Sequence, residues 1–199
     1  MPIKRTHARL ARRHPGSIVM LALAALTLLG ASRFGSNIGA AAPAAREVQA
    51  KPSDVSSIEA TLAALYDTIS GPAGPRDWGR LRSLFLPGAR LIPSGRRPDG
   101  TTVARVLSVD EFITAIERNV KNEGFFEQEI SRRIDKFGAV AHVFSTYESR
   151  HAKSDAKPFV RGINSIQLVF DGKRWWVVTI FWDSERPDQP IPAEYLPKR

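Results

Sequence analysis

Histidine and carboxylate side chains in the C-terminal half of the chain are the residues best suited to acid–base chemistry. His142 lies in the middle of residues 141–144 (AHVF), part of a stretch that predicts a β-strand. Imidazole exchanges protons near neutral pH, so His142 is the best candidate for a general base. Glu127 or Glu129, on a neighbouring predicted strand, is suited to orient it. The alternative is a strand histidine whose ring nitrogens are hydrogen-bonded and which has no catalytic role.

Other chemistries are excluded by what the sequence lacks. The chain has no cysteine, so it has no disulfide, no thiol nucleophile and no thiolate metal ligand. Glycine-rich phosphate loops, His-Glu-x-x-His, Gly-x-Ser-x-Gly and calcium-loop motifs do not occur. After residue 45 only His142 and His151 remain, and their spacing of nine residues across a strand end is a poor zinc site. We therefore expect neither a metal nor a cofactor.

The first 45 residues carry most of the net positive charge and resemble an export leader. The formal net charge is +9, and residues 1–45 hold six of the 29 Lys and Arg but none of the 20 acidic residues. The remainder is nearly balanced, so we expect no nucleic-acid partner. A basic start precedes an apolar run of 13 residues, 18–30, and then small residues suited to cleavage.

That apolar run is shorter than the roughly 17–25 residues that span a bilayer. Residues 1–45 therefore predict a cleaved signal peptide and an exported domain, periplasmic or secreted. An uncleaved leader that anchors the chain is the alternative, and it would be the only contact with a membrane. A poorly structured cytosolic extension is the remaining possibility. Residues 46–52 predict a linker.

Three helices are expected next. Apolar residues recur at spacings of three and four over residues 53–69, which predicts an amphipathic helix. Asp77 is suited to cap a second helix, and a short strand is predicted at residues 89–92. Ser108 and Glu111, three residues apart, predict a capping box at the start of the third helix.

Residues 125–183 predict four antiparallel strands that end in a hairpin. Asp171-Gly172 lies between two β-rich runs and predicts a two-residue turn, because both residues tolerate positive φ. In that register Leu168 faces Trp175. Helices followed by antiparallel strands predict an α+β fold, with three N-terminal helices packed on one face of a strongly curved, mostly antiparallel sheet. Such a cone encloses a cavity that suits a small molecule. Residues 187–199, rich in proline, predict an extended tail.

Several short sequences in this order resemble the nuclear transport factor 2-like (NTF2-like) superfamily, which includes SnoaL-like and ketosteroid isomerase-like proteins. The similar segments are Leu65-Tyr66, Asp77-Trp78, residues 84–91 (LFLPGARL) and residues 170–176 (FDGKRWW). The resemblance implies a cone-shaped domain over residues 53–186. It also implies a small apolar or aromatic ligand in the cavity. Enzymes and binding proteins share this fold, so the resemblance alone names no reaction.

The resemblance implies only part of a ketosteroid isomerase-like site. Tyr66 matches the tyrosine that such enzymes use in their oxyanion hole. The catalytic base would fall near residues 92–94 (IPS), which contain no carboxylate. The acid of the late strand would fall near Ile166, where Asn164 is the nearest polar residue. That reaction is therefore not expected, whereas a lyase, isomerase or cyclase would use His142, Tyr66 and Asn164.

Strand alternation assigns the side chains of the hairpin to two faces. Comparison with the superfamily turns one face towards the cavity, and the ligand-binding residues expected on this basis are Tyr66, Trp78, His142, Asn164, Trp175, Thr179 and Phe181. The other face would carry Trp176 and Trp182, and two exposed tryptophans predict a homodimer interface. Burial of both under the tail is the alternative.

Three functions follow from these patterns. The leading expectation is an exported small-molecule-binding domain with an apolar cavity and no assignable catalytic set. The second is a cofactor-independent enzyme that uses His142. The third is a protein-interaction module that uses the outer face of the sheet.

Overall fold

The computed structural model describes residues 49–198, and the predicted leader lies outside the described residues. The helical elements are α1 (Pro52–Val55), α2 (Ile58–Ile69), α3 (Trp78–Ser83), α4 (Val109–Val120) and a 3-10 turn (Ala193–Tyr195). Within this part of the chain no helix has the length and apolar character needed to cross a membrane.

Six strands form one sheet in the order β2-β1-β6-β5-β4-β3. Their bounds are β1 (Phe85–Arg96), β2 (Thr102–Ala104), β3 (Phe126–Phe137), β4 (Val140–Arg150), β5 (Val160–Phe170) and β6 (Trp175–Ser184). β1 runs parallel to β6, and the other neighbouring pairs are antiparallel. The predicted α+β class, with helices packed on a mostly antiparallel sheet, is confirmed.

The predicted first helix is divided in two. Ser57 adopts an extended backbone, and its hydroxyl accepts a hydrogen bond from the Ala60 N–H at 3.1 Å, which caps the start of α2. Serine competes for backbone hydrogen bonds in this way, so it favours a helix start over a helix interior. The predicted caps at Asp77 and Ser108 are both present, the latter as a full capping box with Glu111.

Arg80 joins the three N-terminal helices. Its guanidinium binds both carboxylate oxygens of Asp54 in α1, at 2.7 and 3.1 Å, and Asp67 in α2 at 2.5 Å. Asp54 is buried, and hydrogen bonding to Arg80 lowers the pKa of its carboxyl. Bidentate pairing of this kind fixes orientation as well as charge. Arg80 therefore ties α1 and α2 to α3.

The hairpin turn lies one residue later than predicted. Asp171 N–H donates to the Arg174 carbonyl, so Gly172 and Lys173 form the tip of the turn and Phe170 pairs with Trp175. The Asp171 carboxylate accepts hydrogen bonds from the backbone N–H groups of Lys173 and Arg174, which explains the shift. Because the centre of the turn moves by one residue, each side chain near the turn stays on its predicted face of the sheet.

A β-bulge in β6 then exchanges the faces. Leu168 pairs with Val177, but the next residue of β5, Gln167, pairs with Thr179, so Val178 is an extra residue. A bulge of one residue reverses the alternation beyond it, which sequence periodicity does not reveal.

The predicted faces of Thr179, Phe181 and Trp182 are therefore wrong. Thr179 and Phe181 lie on the outer face of the sheet, whereas Ile180 and Trp182 face the helices. Of the two tryptophans that the sequence predicts on the outer face of the sheet, only Trp176 lies there. Its indole N–H donates to Asp171 at 2.7 Å, and the Arg174 guanidinium lies 3.6 Å from its ring centroid. The predicted homodimer interface required Trp182 on the outer face of the sheet, and Trp182 does not lie there.

The tail covers part of the outer face instead. Ile191 is buried, and its N–H donates to Glu185 at 3.0 Å. The Tyr195 ring packs edge-on against Phe144 at 5.0 Å, and its carbonyl accepts a hydrogen bond from Thr146.

The predicted extended tail is interrupted twice. Residues 187–188 form a turn closed by two backbone hydrogen bonds between Arg186 and Gln189, and a 3-10 turn holds Tyr195.

Replacing Gly162 tests the close packing of the central strands. A Cβ at Gly162 would lie 2.4 Å from the Asp183 carbonyl and 2.5 Å from the Tyr147 hydroxyl. We expect Gly162→Ala to lower the free energy of unfolding by about 1–3 kcal/mol in denaturant titrations. Gly95→Ala, in β1, is the control because its Cβ would meet nothing within 4 Å. Equal stability of the two variants would contradict this packing.

Candidate functional site

A cavity lies between the helices and the concave face of the sheet. Its volume is about 130 Å³. The lining comes from α2, α4 and five strands, with a further contribution from Phe125. It consists of Leu65, Tyr66, Ile69, Leu91, Phe112, Ile116, Phe125, Glu127, Tyr147, Asn164, Ile180 and Trp182. We call this the inner cavity. Eight of these residues are aliphatic, phenylalanine or tryptophan, so the walls are mainly apolar.

The polar part of the lining is positioned by a junction between α2 and β3. The Ser70 hydroxyl, just after α2, donates to the Glu127 carbonyl and accepts from the Glu127 N–H, both at 3.0 Å. Gly71 and Phe125 exchange two backbone hydrogen bonds beside it. Tyr66, near the end of α2, is thereby held close to the start of β3, where Glu127 lies.

A chain of hydrogen bonds runs from Glu129 to Asn164. Glu129 is ion-paired with Arg132, and its other oxygen accepts from the Ser145 hydroxyl at 2.5 Å. Ser145 has one proton, so Tyr66, whose hydroxyl lies 2.7 Å away, donates to Ser145. The Asn164 amide N–H donates to the Tyr66 oxygen at 3.1 Å. The direction of the Tyr66 O–H bond is therefore set by the protein.

Glu127 is a half-buried carboxylate at the wall of the inner cavity. It accepts a hydrogen bond from the Ser149 hydroxyl at 2.7 Å, and the Asn164 amide also bonds to it. Burial raises the pKa of Glu127 to about 7, although these two hydrogen bonds act to lower it. Among the described residues Glu127 forms no ion pair. It can therefore change its charge near neutral pH.

Two tyrosine hydroxyls lie near Glu127. Burial raises the pKa of Tyr147 to about 12, and its hydroxyl lies 3.3 Å from that of Ser184. Burial also raises the pKa of Tyr66. Both phenols therefore stay protonated at physiological pH.

An open polar groove lies beside the inner cavity, and Tyr66 and Glu127 border both. Its volume is about 740 Å³, and its charged residues include Asp67, Arg132 and Lys153. Glu127 thus lies between an apolar cavity and a route to solvent. Within residues 49–198, no group of three or more His, Asp or Glu residues is arranged to hold a metal ion.

Comparison with known proteins identifies the fold. No family model matches the sequence, and no curated protein matches it. Solved structures do match.

A protein of unknown function with a cystatin-like fold from Nostoc punctiforme superposes with a TM-score of 0.50 at 10% identity, over 65% of this chain and 90% of that one. An NTF-2 like protein of unknown function from Silicibacter pomeroyi is also similar, with a TM-score of 0.46 at 15% identity over 65% of this chain and 94% of the other. The domain has the NTF2-like, cystatin-like cone fold.

A third similar structure agrees with this result. It is a protein of unknown function from Mycobacterium tuberculosis, with a TM-score of 0.50 and 15% identity, covering 68% of this chain and 79% of the other. At these identities the likeness shows the NTF2-like fold and no activity.

Two of the seven ligand-binding candidates line the inner cavity of this NTF2-like domain, namely Tyr66 and Asn164. Trp78 instead donates its indole N–H to Glu117 at 3.2 Å. Trp175 is buried in the core beside Phe170, away from the cavity lining. Thr179 and Phe181 lie on the outer face because of the bulge in β6.

His142 also lies on the outer face, so the predicted catalytic trio is not assembled. Its Nε2 lies 3.0 Å from the Ser165 hydroxyl, and its ring packs against Phe144. Asp135, not Glu127 or Glu129, is its partner on β3. Alternation along β4 turns Ser145 and Tyr147 inward and His142 outward, which corrects the predicted role of His142 beside Tyr66 and Asn164.

Sequence reasoning assigned Glu127 only a supporting role and placed Trp182 on the wrong face. The signal for Glu127 was present, since Glu127 and Glu129 share one face of an alternating strand next to a helix that carries Tyr66. No local signal distinguishes the bulge at Val178, so Trp182 was not identifiable as a cavity residue.

Removing the Glu127 charge should stabilise the domain at high pH. Because folding raises the pKa of Glu127, the protonated side chain contributes to the stability of the folded state. This contribution is fully present below the pKa of the unfolded state, 4.5, and is lost as pH rises through about 7. Glu127→Gln stays neutral throughout. We expect both proteins to have similar unfolding free energies near pH 4.5, and the variant to be more stable by up to roughly 2–3 kcal/mol at pH 8.

Denaturant titrations at several pH values measure this difference. Ser149→Ala is a matched comparison, because it removes a hydrogen bond to the ionised carboxylate. The free energy of unfolding of this variant should therefore fall more steeply with pH than that of the wild type. A difference between wild type and Glu127→Gln that does not change with pH would contradict the raised pKa.

Proposed function

We propose that this NTF2-like domain binds a small, largely apolar molecule in the inner cavity, with the polar group of the ligand at Glu127. The observation that carries the proposal is the arrangement of the lining, in which apolar walls meet a polar end built from Tyr66, Glu127 and Asn164. Binding sites for small molecules are typically apolar with a few converging polar groups. If the leader of residues 1–45 acts as predicted, the domain works outside the cytoplasm.

The size of the cavity limits the ligand. A protein cavity of about 150 Å³ accommodates benzene, so about 130 Å³ corresponds to a molecule of roughly six non-hydrogen atoms. The lining residues Phe112 and Ile116 belong to α4, whereas Leu65 and Ile69 belong to α2. Small movements of these two helices would admit a larger ligand.

Filling the cavity tests this function. We expect cyclopentanol, with six non-hydrogen atoms, to raise the thermal unfolding midpoint of the wild-type protein, because a ligand that binds only the folded state stabilises it. At about 100 times the dissociation constant the gain is about 2.7 kcal/mol. Ile116→Trp places an indole in the cavity and should abolish the shift.

Ala115→Trp is the matched control, since Ala115 is an exposed neighbour on the same helix. That variant should respond to cyclopentanol as the wild type does. Absence of a shift in the wild type, or an equal shift in Ile116→Trp, would remove the inner cavity as the binding site.

Proton transfer by Glu127 is the second candidate function. The observation that favours it is a carboxylate with a pKa of about 7 at a cavity wall, because such a group is an effective base near neutral pH. An oxyanion formed in the cavity would, however, receive no hydrogen bond from Tyr66, whose proton points to Ser145. Binding alone is therefore the better supported function.

Deuterium exchange separates the two candidates. Proton transfer predicts that the α-hydrogens of cyclopentanone exchange in D₂O on the order of 10²-fold faster with the protein than in buffer. Proton NMR measures the rate. Glu127→Gln should abolish the acceleration, whereas His142→Ala, on the outer face, should leave it unchanged. Exchange at the buffer rate would leave binding as the function.

A further inference from the structure

The polar end of the inner cavity offers hydrogen-bond acceptors to a ligand. Tyr66 directs its proton to Ser145, and the Asn164 amide N–H groups bond to Tyr66 and Glu127. The Glu127 carboxylate and the Asn164 carbonyl are acceptors. The remaining donors of the lining are the Tyr147 hydroxyl, which lies 3.3 Å from its partner Ser184, and the Trp182 indole.

The charge of Glu127 has no cationic partner within residues 49–198. Three cationic side chains border the neighbouring groove, and each has another contact: Arg132 pairs with Glu129, Arg150 pairs with Glu148, and Lys153 lies 5.6 Å from the Phe126 ring centroid. The other titratable groups that line the cavity or the groove are Tyr66, Tyr147, Asp67, Glu129 and Asp155. None of these supplies a positive charge.

Aromatic rings form much of the wall around this carboxylate. Phe112 and Trp182 pack edge to face, with centroids 6.0 Å apart and an angle of 86° between the ring planes. Phe125, Tyr66 and Tyr147 complete the aromatic part of the lining. The faces of such rings attract cations, most strongly when water is excluded.

We propose that the ligand of the inner cavity is a protonated organic amine of roughly six non-hydrogen atoms, with its ammonium group at Glu127 and its hydrocarbon part against the aromatic wall. An ammonium group donates hydrogen bonds and accepts none, which matches the acceptors at the polar end. Its charge compensates that of Glu127. This inference rests on the proposed binding function and names the class of its ligand.

The pH dependence of binding distinguishes an amine from a carbonyl compound. An ammonium ion binds the ionised form of Glu127, so its affinity rises as pH rises through about 7. A carbonyl oxygen placed at Glu127 needs a donor, which only the protonated carboxyl supplies there, so its affinity at this position falls over the same range. An alcohol both donates and accepts, and its affinity changes little.

Three ligands of equal size test the proposal by calorimetry: cyclopentylamine, cyclopentanol and cyclopentanone. At pH 8 we expect the amine to bind wild-type protein at least about tenfold more tightly than the alcohol, a difference of about 1.4 kcal/mol. At pH 5.5 most of that preference should be lost. Binding of the amine at pH 7, compared in two buffers of different ionisation enthalpy, should release about half a proton, because the ammonium ion shifts Glu127 to its ionised form.

Two variants with equal net charge provide the controls. Glu127→Gln should bind cyclopentanol and lose the preference for the amine. Glu194→Gln, an exposed change in the tail, should keep that preference. Proton release by wild-type protein provides a readout that does not depend on either variant.

The outcomes separate the two proposals. Binding of cyclopentanol without a preference for the amine, proton uptake instead of release, or a preference that survives in Glu127→Gln would overturn the amine inference and leave the binding function in place. Failure of all three ligands to bind at millimolar concentration would overturn both.

Discussion

The Glu127 carboxylate is subject to two opposing effects, and the character of the inner cavity depends on their balance. Burial favours the protonated form, whereas hydrogen bonds from Ser149 and Asn164 favour the ionised form. Without those bonds an ionised carboxylate would be too costly to bury. With them its pKa reaches about 7, so the cavity changes from neutral to anionic within the physiological range of pH. The ligand class and the capacity for proton transfer both follow from this one group.

Two local features place that carboxylate in an aromatic cavity. The junction between Ser70 and the backbone of Glu127 fixes the end of α2 to the start of β3. The bulge at Val178 turns Ile180 and Trp182 inward along the last part of β6. A regular strand would have presented Thr179 and Phe181 to the cavity and left Trp182 at the surface. The apolar wall opposite Glu127 therefore depends on one extra residue.

The fold was predictable from sequence to a greater extent than the site. Helix caps such as Asp77 and Ser108 act locally, and alternation marks the strands, so the α+β architecture follows from short-range patterns. The turn after Phe170 was displaced by hydrogen bonds to the Asp171 side chain, and the bulge left no mark in the periodicity. Tyr66 and Asn164 were found by resemblance, whereas the role of Glu127 depends on burial, which only the folded chain determines.

A direct titration of Glu127 tests whether this carboxylate changes its charge near neutral pH. The ¹³C chemical shift of its side-chain carboxyl, assigned by comparison with Glu127→Gln, reports protonation of that single group. We predict a midpoint near pH 7, well above the value of 4.5 for an unperturbed glutamate. A midpoint at or below 4.5 would show that the carboxylate is solvated or paired with a cation, and that the inner cavity stays anionic at neutral pH without any change of charge.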